Sequence, residues 1–434
     1  MTQLEKARHN ILSTEIKKAA KKENISPRLL LKEVASGRAV LPANVNHKKL
    51  VPIGIGRNLR VKVNINLGNS PQASCRDEEV IKAKRAISLG ADTIMDLSTG
   101  PAADVIRRKV INVSTVPVGT VPIYEALKKA GSISRLSPAL LIETIHKQAE
   151  DGVDFMTLHA GVLRKHIKYA GKRVCGIVSR GGSIIAGWMS AKNRENPLYE
   201  HFEKILKILR KYDVTASLGD GLRPGALADA SDRAQFAELG VLGELVKVCR
   251  KNGVQVMVEG PGHVPINQIE MNVKKALKVC HDAPFYVLGP LVTDIALGYD
   301  HINAAIGAAI AARSGAAFLC GVTPSEHLSI PNLEDIQEGL VAFKIAAHAW
   351  DTARNMSDRD LAMSIARRTF DWKKQVELSI FPEMAGRKIS EKDNKSSDDF
   401  CSMCGKEFCA MRNFKSVMNA DMAEITNKNN SRQN

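Results

Sequence analysis

The sequence predicts an α/β protein, a (β/α)8 barrel with an N-terminal helical segment before it and a cysteine-bearing tail after it. Two observations carry that expectation. From about residue 60, short and almost uniformly apolar runs alternate with amphipathic helical stretches, the pattern of parallel strands enclosed by helices. Polar residues also collect at the C-terminal ends of these runs, where barrel enzymes build their active sites.

Residues 1–55 read as a helical, basic segment: LEKARHNILSTEIKKAAKKE, then SPRLLLKEVASG, with Ser26 and Pro27 as N-cap and first-turn pair. The barrel domain is set at 56–385. Its strand-like runs are VKVNINL (61–67), DTIMDLS (92–98), VPVGTVP (116–122), DFMTLHA (154–160), CGIVSR (175–180), TASLGDG (215–221), VQVMVEG (254–260), FYVLGP (285–290) and AFLCGV (317–322). Helical stretches such as YEHFEKILKILRKY lie between them. Their number and spacing fit a (β/α)8 barrel. A doubly wound sheet is the competing arrangement, but no Gly-rich dinucleotide fingerprint follows the first run. Past residue 322 the chain reads as helical. The polar stretch GRKISEKDNKSSDD then opens a linker and tail at 386–434.

The formal net charge of +16 points to anionic partners, nucleic acid or phosphorylated metabolites. The excess is scattered, as in Lys17-Lys18 and Lys373-Lys374, and the 5% of aromatics are not interleaved with it. A solvated basic face is therefore expected rather than a base-stacking surface. No apolar run approaches a membrane span, and MTQLEKARHN lacks the apolar core of a signal peptide. A cytoplasmic protein with no membrane or nucleic-acid partner is expected.

The eight cysteines divide into two groups. Cys75, Cys175, Cys249, Cys280 and Cys320 are isolated and read as buried thiols, all but Cys75 in apolar contexts. Cys401, Cys404 and Cys409 form CSMCGKEFC. Three thiolates at that spacing suit one face of an iron–sulfur cubane with the fourth iron open. Structural zinc is the competing reading, but it normally wants four ligands and no fourth Cys or His lies in the tail. A zinc-ribbon-like nucleic-acid-binding protein would be colourless, whereas a cluster protein would be brown and bleach in air.

The segments KVNINLGNS, MDLSTG, PVGTVPIYEAL, GIVSRGGS, SLGDGLRPG, VEGPGHVP, APFYVLGP, GYDHI, VTPSEHL and CSMCGKEFCAMR resemble the ThiC family of radical S-adenosylmethionine enzymes from about residue 5 to residue 412. The resemblance implies a carbon–carbon lyase or rearrangement enzyme acting on 5-aminoimidazole ribotide. It implies a 4Fe–4S cluster on the three cysteines, S-adenosyl-L-methionine, an external electron donor and a homodimer. Substrate contacts carried over from the family fall on Asn66, Met95, Tyr124, His159, Ser179, Arg180, Gly181, Asp220, Gly221, Leu222, Arg223, Glu259 and Tyr286. Its metal histidines fall on His263 and His327, with zinc as the metal. No catalytic residue is assigned.

The chemistry of these residues suits the roles. Arg180 and Arg223 are forked donors for phosphate or carboxylate. Gly181-Gly182 would leave backbone N–H groups open to phosphate oxygens. Asp220 and Glu259 can accept from ribose hydroxyls or an amine. Two histidines do not close a tetrahedral site, so water, substrate or the methionine carboxylate must complete it.

Three positions depart from the pattern of the phosphomethylpyrimidine synthases in this family. Leu297 stands in DIALGYDHI for proline, Gly321 in CGVTP for tyrosine, and Trp350 in AAHAWD for a small residue. Expected to reshape the pocket wall, they favour the branch that makes 5-hydroxybenzimidazole for cobamide lower ligands. The thiamine-pyrimidine reaction is the alternative.

Overall fold

The computed structural model describes residues 1–71, 76–355, 357–390, 400 and 403–418. The chain divides into two compact units, Met1–Asp351 and Thr352–Asn434. Composition puts the end of the barrel domain at 385. Packing puts it at Asp351, because the helices Arg359–Arg368, Trp372–Leu378 and Pro382–Ser390 pack on one another in the second unit.

The first unit begins with a short antiparallel pair, β1 (Ala39–Val40) and β2 (Ile55–Gly56). The strands that follow are β3 (Lys62–Leu67), β4 (Thr93–Asp96), β5 (Val118–Thr120), β6 (Phe155–Leu158), β7 (Thr215–Leu218), β8 (Val256–Gly260), β9 (Phe285–Leu288) and β10 (Phe318–Gly321). They are parallel and adjacent in chain order, and β10 closes on β3 to complete the barrel. Both faces of each strand are covered, by the interior and by the helical jacket, which is why the runs are apolar throughout rather than alternating.

Aromatic side chains fill the interior. Tyr286 stacks on Phe318 with ring centroids 4.0 Å apart, and Phe155 meets Phe318 edge-on at 6.2 Å. Gly119 in β5 makes this possible, since a Cβ there would lie 2.2 Å from the Phe155 ring.

One expected strand is absent. CGIVSR is a loop, and Arg180 already belongs to the helix Arg180–Lys192. Val178 within it and Val174 just before it are exposed, and Gly176 takes a φ of +63°, so the run lacks the burial that would make it a strand. Cys175, expected to be buried, is exposed on this loop. Cys249, Cys280 and Cys320 are buried as expected, and Cys75 lies outside the described residues.

The N-terminal segment is helical over Gln3–Arg8, Thr14–Glu23 and Pro27–Ala35, each begun by a side-chain cap from Thr2, Ser13 or Ser26. It closes the N-terminal end of the barrel. The Gln3 N–H donates to Asp213 before β7, the Leu41 N–H to Gln255 before β8, and the Asn44 N–H to Asp154 before β6.

Trp350 belongs to that same end. The helix Leu333–Ala353 starts after β10 and runs back along the barrel, and Asp351 accepts the Val61 N–H at 3.1 Å, just ahead of β3. Trp350 therefore packs at the floor of the barrel and does not reshape a pocket at its mouth, contrary to the expectation from sequence. No helix among the described residues is long and apolar enough to cross a membrane.

Candidate active site

A cavity of about 490 Å³ opens at the C-terminal ends of the barrel strands. Eight residues expected to contact substrate line it: Asn66, Met95, Tyr124, His159, Asp220, Arg223, Glu259 and Tyr286. They come from every part of the ring, from β3, β4 and β5 through β6 and β7 to β8 and β9. A neighbouring cavity of about 640 Å³ shares Asn66 and Leu97 and adds Arg180, Gly321, Thr323 and Glu326. The Arg180 guanidinium lies 5.3 Å from the Tyr124 ring centroid, linking the two.

Ser179, Gly181, Gly221 and Leu222 do not line these cavities; they are buried in the wall behind. Ser179 caps the helix Arg180–Lys192 by accepting the Gly182 N–H at 3.2 Å, so that N–H is not free for a phosphate. The two glycines serve close approach instead. A Cβ on Gly181 would lie 2.2 Å from the His159 ring, and one on Gly182 would lie 2.1 Å from the Gly221 carbonyl oxygen.

Burial governs the charges in the first cavity. It lifts the Asp220 carboxyl to about 7, against the pull of Arg223, which sits 3.2 Å away. It raises Glu259 too, although Thr157 and Ser217 both donate to its Oε1 at 2.6 and 2.9 Å. Burial opposes the Arg223 charge, but Asp220, Tyr124 and Glu259 together outweigh it and Arg223 stays firmly cationic. His159 is driven down to about 3 by burial and by Arg223, so its imidazole is neutral. His159 Nδ1, Asp220 Oδ2 and the Tyr286 hydroxyl are buried without hydrogen-bond partners among the described residues. Such atoms are rare in a finished core and mark a place where a polar ligand would complete the bonding.

His263, on the loop after β8, and His327, on the loop after β10, converge with ring centroids 5.4 Å apart. His263 Nδ1 donates to Asp294 Oδ1 at 2.8 Å and His327 Nδ1 to Asp300 Oδ2 at 2.9 Å. Each carboxylate fixes the tautomer and leaves Nε2 as the nitrogen available to a metal. Burial lowers the His263 pKa, which favours the neutral ligand form. The pair thus fits two ligands of a cation. No group of three or more His, Cys, Asp or Glu gathers among the described residues.

In the second unit Cys404 and Cys409 flank one helical turn, Gly405–Phe408, with Gly405 at a φ of +67° turning the chain. Cys401 lies outside the described residues. The donor set of three thiols suits a cluster.

Cys320 was legible only as a buried thiol, yet it lines the first cavity at the end of β10. Asn66 Nδ2 approaches its sulfur at 3.3 Å, and burial pushes the thiol up to about 12. Its place at a strand's C-terminal end was the available signal. Of the branch-marking positions, Gly321 lines the second cavity, whereas Leu297 is 59% exposed and lines neither.

The chain matches the family model described as "Radical SAM ThiC family" over residues 2–416. It is 57% identical, over 421 residues, to the phosphomethylpyrimidine synthase of Carboxydothermus hydrogenoformans, covering 95% of this chain and 98% of that one. Among solved structures, a dihydropteroate synthase of Xanthomonas albilineans aligns over 73% of this chain and 99% of its own at 11% identity, TM-score 0.42. One from Thermus thermophilus aligns over 71% and 99% at 12% identity, TM-score 0.42.

Proposed function

This chain belongs to the radical SAM ThiC family, and we propose that it is a phosphomethylpyrimidine synthase, converting 5-aminoimidazole ribotide to 4-amino-5-hydroxymethyl-2-methylpyrimidine phosphate for thiamine biosynthesis. The observation that carries this reading is the 57% identity to a protein of that name across nearly the whole of both chains. It favours this reaction over the 5-hydroxybenzimidazole branch. The case for that branch rested on Leu297, Gly321 and Trp350, and of the three Gly321 alone lines either of the two cavities described above.

The cavity supports a phosphorylated, amine-bearing substrate. Arg223 and Arg180 supply forked donors for the phosphate. Neutral His159 and the buried Asp220 and Glu259 offer hydrogen bonds to ribose hydroxyls and the amino group. Tyr286 and Met95 form apolar walls that keep water from a reactive intermediate. A 4Fe–4S cluster held by Cys401, Cys404 and Cys409, fed by an external electron donor, would supply the reductive cleavage of S-adenosyl-L-methionine. His263 and His327 would hold zinc, with Asp294 and Asp300 orienting them. A homodimer is part of this proposal.

The test is to incubate the anaerobically reconstituted enzyme with 5-aminoimidazole ribotide, S-adenosyl-L-methionine and dithionite. A phosphorylated pyrimidine is expected by mass spectrometry. Fluorescent 5-hydroxybenzimidazole in its place would overturn the assignment.

A further inference from the structure

The loop after β7 carries Asp220 and Arg223 into the cavity, and two side chains that line neither cavity grip its backbone from opposite sides. Glu238, in the helix Arg233–Lys251, is 2% exposed. Its Oε1 accepts the Gly221 N–H at 2.9 Å and its Oε2 the Leu222 N–H at 2.6 Å. Arg173, with its side chain 2% exposed, takes the other edge. Its Nη2 donates to the Leu222 carbonyl at 2.7 Å, and its Nη1 to the carbonyls of Arg223 at 3.1 Å and Gly176 at 3.3 Å. Nε and Nη2 also hold Asp232 at 2.8 and 2.7 Å, and Asp232 caps the helix that bears Glu238 by accepting the Gln235 N–H. The backbone of Leu222 is thus fixed at both its N–H and its carbonyl.

We propose that Glu238 and Arg173 are positioning residues for substrate: they lock the Asp220–Arg223 backbone so that Arg223 presents its guanidinium to the anionic group of the ribotide. This rests on the reading that the cavity binds a phosphorylated ribotide. The residue types are those the task needs. Only a carboxylate accepts from two adjacent N–H groups with both oxygens; an amide would turn an NH2 against one of them. Only a guanidinium places its donors in one rigid plane toward several carbonyls, which an ammonium does not reproduce. Gly182 packs on the same loop, against the Gly221 carbonyl, so a displaced peptide has little room to settle elsewhere.

The experiment measures ribotide affinity by calorimetry on the full-length, anaerobically reconstituted enzyme for wild type, Glu238→Gln, Arg173→Lys, Arg223→Ala and the double variant Glu238→Gln/Arg223→Ala. Glu238→Gln and Arg173→Lys are expected to weaken ribotide binding about tenfold or more. Cluster iron and kcat at saturating ribotide should stay within about threefold of wild type, since the loss is one of binding. The double variant should bind no worse than Arg223→Ala alone, because the clamp acts through Arg223. Wild-type affinity in both single variants, with Arg223→Ala impaired, would overturn the clamp and leave the cavity reading standing. Wild-type affinity in Arg223→Ala would overturn the cavity reading itself. Additive losses in the double variant, or loss of cluster and fold in step with affinity, would assign the two residues a merely structural role.

Discussion

His263 and His327 face one another with ring centroids 5.4 Å apart, and each gives its Nδ1 proton to its own carboxylate, Asp294 and Asp300. Neither histidine is exceptional in the sequence, and barrel closure alone brings their loops together. A histidine whose Nδ1 is held this way is a more basic and better oriented ligand through Nε2. Asp294→Asn and Asp300→Asn should therefore each lower zinc affinity by about 10–100-fold, with cluster iron unchanged. Competition against a chromophoric chelator measures it. Undiminished affinity in both variants would mean that the carboxylates do not support a metal site.

The contact between Gly182 and Gly221 makes a stability prediction with an internal control. Gly182→Ala would set a methyl 2.1 Å from the Gly221 carbonyl oxygen, backbone that is already bonded to its neighbours. A loss of about 1–3 kcal/mol is expected, the range for overpacking. Gly240, within the helix Arg233–Lys251, has nothing within 4 Å of its would-be Cβ. Gly240→Ala should gain about 0.5–1 kcal/mol from helix propensity. Denaturant unfolding of the two variants should thus move in opposite directions.

The barrel was legible because covered parallel strands must be apolar on both faces, and eight of the nine runs proved to be strands. CGIVSR failed because hydrophobicity alone does not report burial; Val174 and Val178 in and beside it face solvent. Site residues at strand ends, such as Asp220 and Glu259, could be found by position along the run. The supports could not. Glu238 reads as one acid on an amphipathic helix, and Arg173 as one base in a basic stretch. Their partners are backbone atoms of a loop many residues away, a relation with no periodicity to betray it. Trp350 misled for the opposite reason: it departs from a family pattern, but a substitution in sequence does not say which end of a helix it occupies.

Trp350 lies beside Asp351 at the barrel floor and is partly buried against the core. Trp350→Ala should cost about 1–3 kcal/mol of stability, less than a fully buried indole. Product identity and the KM for ribotide should not change. A switch of product in this variant would show that the floor communicates with the cavity and would revive the branch reading that Trp350 first suggested.

Asp213 gives the fold a pH dependence whose sign can be worked out. Its carboxyl sits at the start of β7's approach, where Oδ2 accepts the Gln3 N–H at 2.8 Å. Burial raises its pKa from 3.8 to about 7, and the hydrogen bond from Gln3 and the charge of Lys6 offset this only in part. The native state therefore keeps a proton that the unfolded chain releases several pH units lower. The stability this contributes is complete below the unfolded value of 3.8 and is lost as pH rises through about 7. The melting temperature of the wild type should accordingly decline between roughly pH 4 and pH 7, at constant ionic strength. Asp213→Asn, which has no proton to lose, should flatten that decline. The flattening will be partial, because Asp220 at about 7 carries the same sign. An Asp213→Asn variant with the full wild-type slope would show that this carboxyl is already ionised in the fold, and that the N-terminal segment is held to the barrel floor by a charge rather than by a neutral acid.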